Sequence, residues 1–163
     1  MKVNFQISDS IAKLYFSWFG IGYCPVAPGT AGSAAALPFT YLLLTICSPY
    51  VVILISLLLV LPSYFFTNTL SSENHDPSWI VIDEVAGQIL TIGLVALILT
   101  PNLYLYLLSF ICFRCFDIFK PWPISIIDQE MKTMSGVMLD DLIAGIYAAI
   151  TVIIIITVSK MIF

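Results

Sequence analysis

Five stretches of almost pure hydrocarbon, residues 34–47, 50–66, 85–99, 103–116 and 142–158, leave this chain few folds to choose from. Each is somewhat shorter than the roughly 20 residues that cross a hydrocarbon core of about 30 Å. Several reach that length only if the helix runs on into a charged flank. Asp83 and Glu84 then begin one helix, Arg114 and Asp117 end another, and Asp140 and Asp141 begin the last. Backbone within lipid must satisfy its own N–H and C=O groups, and runs of this length do so as helices. The expected fold is therefore all-α, a polytopic membrane helical bundle, with residues 1–163 forming one integral membrane domain. Composition agrees: 10% of the residues are charged, against about 25% in an ordinary soluble domain.

Ahead of the first run, residues 8–19 have helical periodicity. Ile11, Leu14, Tyr15, Trp18 and Phe19 fall on one face, with Asp9, Lys13 and Ser17 elsewhere. Ser8 can cap this helix, and Gly20 and Gly22 end it. Residues 1–21 thus read as an N-terminal amphipathic interfacial helix, with packing against the rest of the protein the open alternative. No cleavable leader is expected. Residues 22–33 carry Pro25, Pro28, Gly22, Gly29 and Gly32 in so short a span that they read as a specific loop, not a helix or strand.

The runs pair into hairpins at Ser48-Pro49 and Pro101-Asn102, so the N-terminus and the loops 67–84 and 117–141 share one face. That face receives Lys2, Lys13, Arg114, Lys120 and Lys132, against Lys160 alone on the other, and is expected to be cytoplasmic. All the carboxylates fall on it as well, and five crossings put the C-terminus outside. A net charge of −4 argues against a nucleic-acid partner, whose phosphates want a basic surface. Cys24, Cys47, Cys112 and Cys115 make no disulfide framework, and Cys112-x-x-Cys115 in an apolar run reads as two small hydrophobes.

The chemistry concentrates in polar residues that border the lipid. Asp83-Glu84 and Asp140-Asp141 each precede an apolar helix and are followed about one turn later by a glycine, Gly87 or Gly145. One such pair could simply be helix-start residues wetted by cytosol. Two pairs, with Asp117 and Asp128 on the same face and few basic partners, must protonate or bind a cation. Hard carboxylate oxygens select Mg²⁺ or Ca²⁺ over zinc, and Mg²⁺ leaves coordination places for phosphate. Asp83, Glu84, Asp140 and Asp141 are the candidate metal ligands.

Arg114, Asp117 and Lys120 stand at i, i+3 and i+6, along one side of a helix that Pro121 and Pro123 then stop. They form either a snorkelling cluster at the membrane edge or a grip on an anionic headgroup. His75, in a polar loop, is either exposed or a proton donor to a leaving alkoxide. The segment Pro28-Gly29-Thr30-Ala31-Gly32-Ser33 could offer backbone N–H groups and two hydroxyls to a phosphate, though it is neither a Walker loop nor a dinucleotide fingerprint. A cytosol-facing site for a divalent cation and an anionic group follows. A lipid phosphate would satisfy it, while a small ion transporter would need polar groups through the whole bilayer depth.

The same residues resemble a known family. Gly22-Tyr23-x-Pro25-x-Ala27-Pro28-Gly29-Thr30-x-Gly32-Ser33, then Asp76-Pro77-x-x-Ile80-Val81-Ile82-Asp83-Glu84-Val85-x-Gly87, are similar to phosphatidylglycerophosphatase A. So are Phe113-Arg114-x-Phe116-Asp117-x-x-Lys120-Pro121-x-Pro123-Ile124, Asp128 and Asp140-Asp141-x-x-Ala144-Gly145. The resemblance implies removal of the terminal phosphate of phosphatidylglycerophosphate, with Mg²⁺, at the cytoplasmic face of the bacterial inner membrane. It implies Arg114, Lys120 and the segment Pro28, Gly29, Thr30, Gly32 and Ser33 as substrate-binding, with Asp117, Lys120, Arg114 and His75 catalytic. Water and Asp117 both remain open as the attacking group. Another membrane phospholipid phosphatase or an alcohol phosphotransferase is the alternative enzyme.

Overall fold

The computed structural model describes residues 9–66, 77–126 and 134–162. They form α1 (Asp9–Phe16), a 3₁₀ turn (Ile21–Tyr23), α2 (Pro28–Ile46), α3 (Pro49–Phe66), α4 (Ile82–Ala96), α5 (Leu103–Phe119) and α6 (Met134–Ile162). No strand occurs among the described residues.

Helix α4 is the axis of the bundle, with α2, α3, α5 and α6 packed around it. From Ile82 to Gly93 every residue except Glu84 is buried. Small residues make this enclosure possible. A Cβ on Gly145 would lie 2.7 Å from the Gly87 carbonyl oxygen, and one on Gly87 would lie 2.7 Å from the Asp141 carbonyl oxygen. The backbones of α4 and α6 therefore touch, as small residues allow in membrane helix pairs. Thr91 closes the contact, its hydroxyl donating to the carbonyls of Gly87 (2.8 Å) and Gly145 (3.2 Å). On the opposite side the Ser56 hydroxyl donates to the Ala86 carbonyl at 2.8 Å, tying α3 to α4.

The outward faces are apolar. Leu42, Ile46, Leu54, Leu58, Leu107, Ile111, Ile150 and Ile154 are all exposed. Two helices, Pro28–Ile46 and Met138–Ile162, are long and apolar enough to cross a membrane. Only 22% and 28% of their apolar windows are buried, whereas the core helix of a soluble protein is mostly covered.

Three local expectations are corrected. The supposed loop ends at Ala27: Pro28–Ser33 form the first turn and a half of α2. Pro28 sits at the helix start, where its missing N–H costs nothing, and the glycines serve close packing, not a turn. A Cβ on Gly32 would meet Val81, and one on Gly29 would collide with the Glu84 carboxylate. Second, α6 starts at Met134, so Asp140 and Asp141 lie well inside it and do not begin it. Gly136, the one weak helix former ahead of them, does not stop the helix, and Met138 is held in the core with Phe16 and Ile82. Third, α5 ends at Phe119, and Lys120 caps it in the left-handed region (φ 41°), off the helical face expected for it.

Helix α1 is shorter than expected, ending at Phe16 before the left-handed residues Trp18, Phe19 and Gly20. Ala12, Phe16 and Trp18 join the core while Ile11, Leu14 and Phe19 stay exposed, so the expected apolar face is divided between protein and surroundings. The Tyr15 hydroxyl donates to the Leu59 carbonyl at 2.6 Å, and burial pushes its phenol up to about 12. Ser8 lies outside the described residues.

Candidate active site

The N-terminal ends of α2 and α4, the C-terminal end of α5 and the Asp140-Asp141 turn of α6 meet at one end of the bundle. Carboxylate oxygens of Asp83, Glu84 and Asp141 all lie within 4.8 Å of one another. Asp83 and Asp141 are each only 4% exposed. The two acidic pairs share a local geometry. The Glu84 N–H donates to Asp83 Oδ1 (3.1 Å), and the Asp141 N–H donates to Asp140 Oδ1 (3.0 Å). In each pair the first carboxylate is thus fixed near the backbone. The Gly87–Gly145 contact then brings the two helices close enough for the pairs to converge.

Asp117 completes the acidic group, with its carboxyl against that of Asp141 and within electrostatic range of Glu84. It also forms an ion pair with Arg114 Nη1. The same nitrogen donates to Ser33 Oγ at 3.3 Å, and Ser33 Oγ donates to the Gly29 carbonyl at 2.9 Å. The Arg114 guanidinium and the Glu84 carboxylate both lie against the first turn of α2 at Gly29. Acidic groups gain there from the positive end of the helix dipole. Lys120 Nζ donates to Asp140 Oδ2 at 2.6 Å, with the Asp140 side chain 2% exposed and that of Lys120 30% exposed.

The expected metal set is therefore divided. Asp83, Glu84 and Asp141 come together, while Asp140 turns to Lys120. Of the expected phosphate-binding residues, Ser33 and Gly29 are beside Arg114, and Pro28, Thr30 and Gly32 share the same end of α2. His75 and Asp128 lie outside the described residues. Among the buried polar side chains that were not anticipated, Gln88 on α4 and Ser109 on α5 make no hydrogen bond within the described residues. Gln88 had a signal: an amide in an apolar run, four residues after Glu84.

Several carboxylates this close repel strongly in a low-dielectric setting, and a divalent cation is the simplest charge that relieves them. Three oxygen donors with an arginine beside them fit Mg²⁺ sharing a site with phosphate. The fold and site thus define an all-helical protein with a buried carboxylate centre suited to a cation and an anionic ester.

The family profile described as Phosphatidylglycerophosphatase A matches residues 14–156. A Phosphatidylglycerophosphatase A of Escherichia coli (strain K12) is 34% identical over 152 residues, covering 88% of this chain and 86% of that protein. One of Haemophilus influenzae is 35% identical over 138 residues, covering 82% of each. A Putative phosphatidylinositol-3-phosphatase of Bacteroides thetaiotaomicron is 36% identical over 146 residues, covering 82% of this chain and 86% of its own. No solved structure matches. The chain belongs to the phosphatidylglycerophosphatase A family, and it is a phosphatase.

Proposed function

We propose that this protein hydrolyses phosphatidylglycerophosphate to phosphatidylglycerol and phosphate, with Mg²⁺, as a multi-pass protein of the bacterial inner membrane whose site faces the cytoplasm. The observation that carries the reading is the convergence of Asp83, Glu84 and Asp141 with Arg114 at one end of an outwardly apolar bundle. Lys, Arg and carboxylates gathered at that end suit a lipid whose headgroup stands at the membrane edge while its chains stay in hydrocarbon.

Asp83, Glu84 and Asp141 would hold the Mg²⁺, which supplies positive charge to the phosphoryl oxygens. Arg114 is suited to bind the same phosphate. Its Nη1 holds Asp117 and Ser33, and its buried Nε makes no hydrogen bond within the described protein and can donate to a phosphoryl oxygen. Lys120, anchored on Asp140, adds a second positive charge at the rim. Asp117 stands between Arg114 and the carboxylate centre, where it can take the proton of an attacking water or attack phosphorus itself. Hydroxylamine trapping during turnover separates the routes: only the second forms an acyl phosphate on Asp117, which hydroxylamine converts to a hydroxamate, whereas the first leaves Asp117 unmodified.

The name of the Bacteroides relative favours one second reading, a phosphoinositide phosphatase. Both substrates are phosphomonoesters on a lipid polyol headgroup. The purified full chain in detergent micelles should release phosphate from phosphatidylglycerophosphate when Mg²⁺ is present and not when it is chelated. No release by folded protein overturns the reading, and release from phosphatidylinositol 3-phosphate alone favours the second.

A further inference from the structure

Every buried, unpartnered side-chain polar atom among the described residues falls on four residues: Glu84 Oε2, both amide atoms of Gln88, Ser109 Oγ and Arg114 Nε. Such atoms are few in native proteins, and a cluster of them marks a place where a polar ligand or water completes the bonding. Glu84 and Arg114 belong to the phosphate site. Gln88 and Ser109, at 0% and 1% exposure, do not.

Gln88 follows Glu84 by four residues, so it shares that face of α4 about one turn, or about 6 Å, further from the carboxylate centre. Ser109 precedes Phe113 by four residues on α5, and the Phe113 ring lies against α4 at Gly87. With α4 and α5 antiparallel, both side chains are displaced from the site in the same direction, away from the charged end. Both are neutral polar groups buried deeper in the bundle than the charged ones. A neutral amide that both donates and accepts is the chemistry that recognises a hydroxyl, and it cannot replace a cation.

We propose that Gln88, assisted by Ser109, determines specificity by binding the hydroxyl neighbouring the scissile phosphate ester on a polyol headgroup. The proposal rests on the phosphatase reading above. In phosphatidylglycerophosphate that hydroxyl is four bonds from the terminal phosphorus, an extended reach of about one helical turn. The lipid's chains lie in the same direction from the phosphate as Gln88 lies from Glu84. Phosphatidate carries its phosphate directly on the acylated glycerol and presents no such hydroxyl. A buried amide left unpaired then penalises it, as sites built to bind a hydroxyl reject analogues that lack one.

The test compares kcat/KM for phosphatidylglycerophosphate and for its 2′-deoxy analogue, in which propanediol replaces the headgroup glycerol, using the full chain in micelles with Mg²⁺. Wild type should prefer the hydroxylated lipid by about 10²-fold or more. Gln88→Leu should bring that ratio close to one, chiefly by loss on the hydroxylated lipid, and Ser109→Ala should lower it less. Equal wild-type rates on the two lipids overturn this inference alone. So does a Gln88→Leu protein that slows on both lipids equally, which assigns Gln88 a structural role. If wild type releases phosphate from neither lipid, the substrate reading falls and this inference with it.

Discussion

Asp140 and Asp141 are neighbours in sequence but face different partners. Asp141 faces Asp83, Glu84 and Asp117, while Asp140 is bound by Lys120. A ligand that binds only the folded protein raises its stability, by about 2.7 kcal/mol at a hundredfold excess over Kd. Mg²⁺ should therefore raise the unfolding temperature of wild type in detergent, and of Asp140→Asn, but not of Asp141→Asn. Asp141→Asn should also lower kcat by about 10²-fold or more. Protection retained in Asp141→Asn and lost in Asp140→Asn would reverse the two assignments. Lys120→Ala bears on the same pair, because it leaves the Asp140 carboxylate buried without its ammonium partner. It should lose both stability and activity, and Asp140→Asn should restore part of the stability in the double variant.

The contact between α4 and α6 decides whether the acidic pairs meet at all. A methyl on Gly145 would lie 2.7 Å from the Gly87 oxygen and 3.2 Å from Thr91 Oγ1, so Gly145→Ala must push the helices apart. Overpacking of this kind costs about 1–3 kcal/mol, and here it should also weaken Mg²⁺ protection, because Asp141 moves with α6. Ser56→Ala removes one hydrogen bond to the Ala86 carbonyl on the far side of α4, worth about 1 kcal/mol. It should lower the unfolding temperature while leaving kcat near wild type. Thermal unfolding and phosphate release measured on both variants separate the element that shapes the site from one that only supports it.

For the whole molecule, the surface is as informative as the core. Leucines and isoleucines cover the outer faces of α2, α3, α5 and α6, while polar side chains between the helix ends, such as Thr40, Ser56, Thr91 and Ser109, turn inward. That inversion suits a bilayer, and α2 to α6 taken as successive crossings put the site end and the C-terminus on opposite faces. A reporter fused after Phe163 should therefore be detected outside the cytosol, and a cysteine probe placed at Val26 should be labelled only from the cytosolic side. A cytosolic C-terminal reporter would contradict five crossings.

Apolar periodicity and the carboxylate pairs at its edges were enough to anticipate helices near 34–47, 50–66, 85–99, 103–116 and 142–158, and an acidic end of the bundle. Hydrophobic runs are local information, and every one of them became a helix. The helix starts were less legible. Gly29 and Gly32 look like loop residues in sequence, yet they are the points where α2 admits Glu84 and Val81, a fact about α4 that the local sequence does not hold. The division of labour between Asp140 and Asp141 depends on a left-handed Lys120 reaching across from α5. That Gln88 and Ser109 are buried without a hydrogen-bond partner depends on the helices packed over them, not on their own segments. Thus the sequence alone determined the hydrocarbon frame and the charges it must accommodate, because burial pattern and charge are properties of each segment. Which carboxylates converge was decided by the close approach of glycines on separate helices.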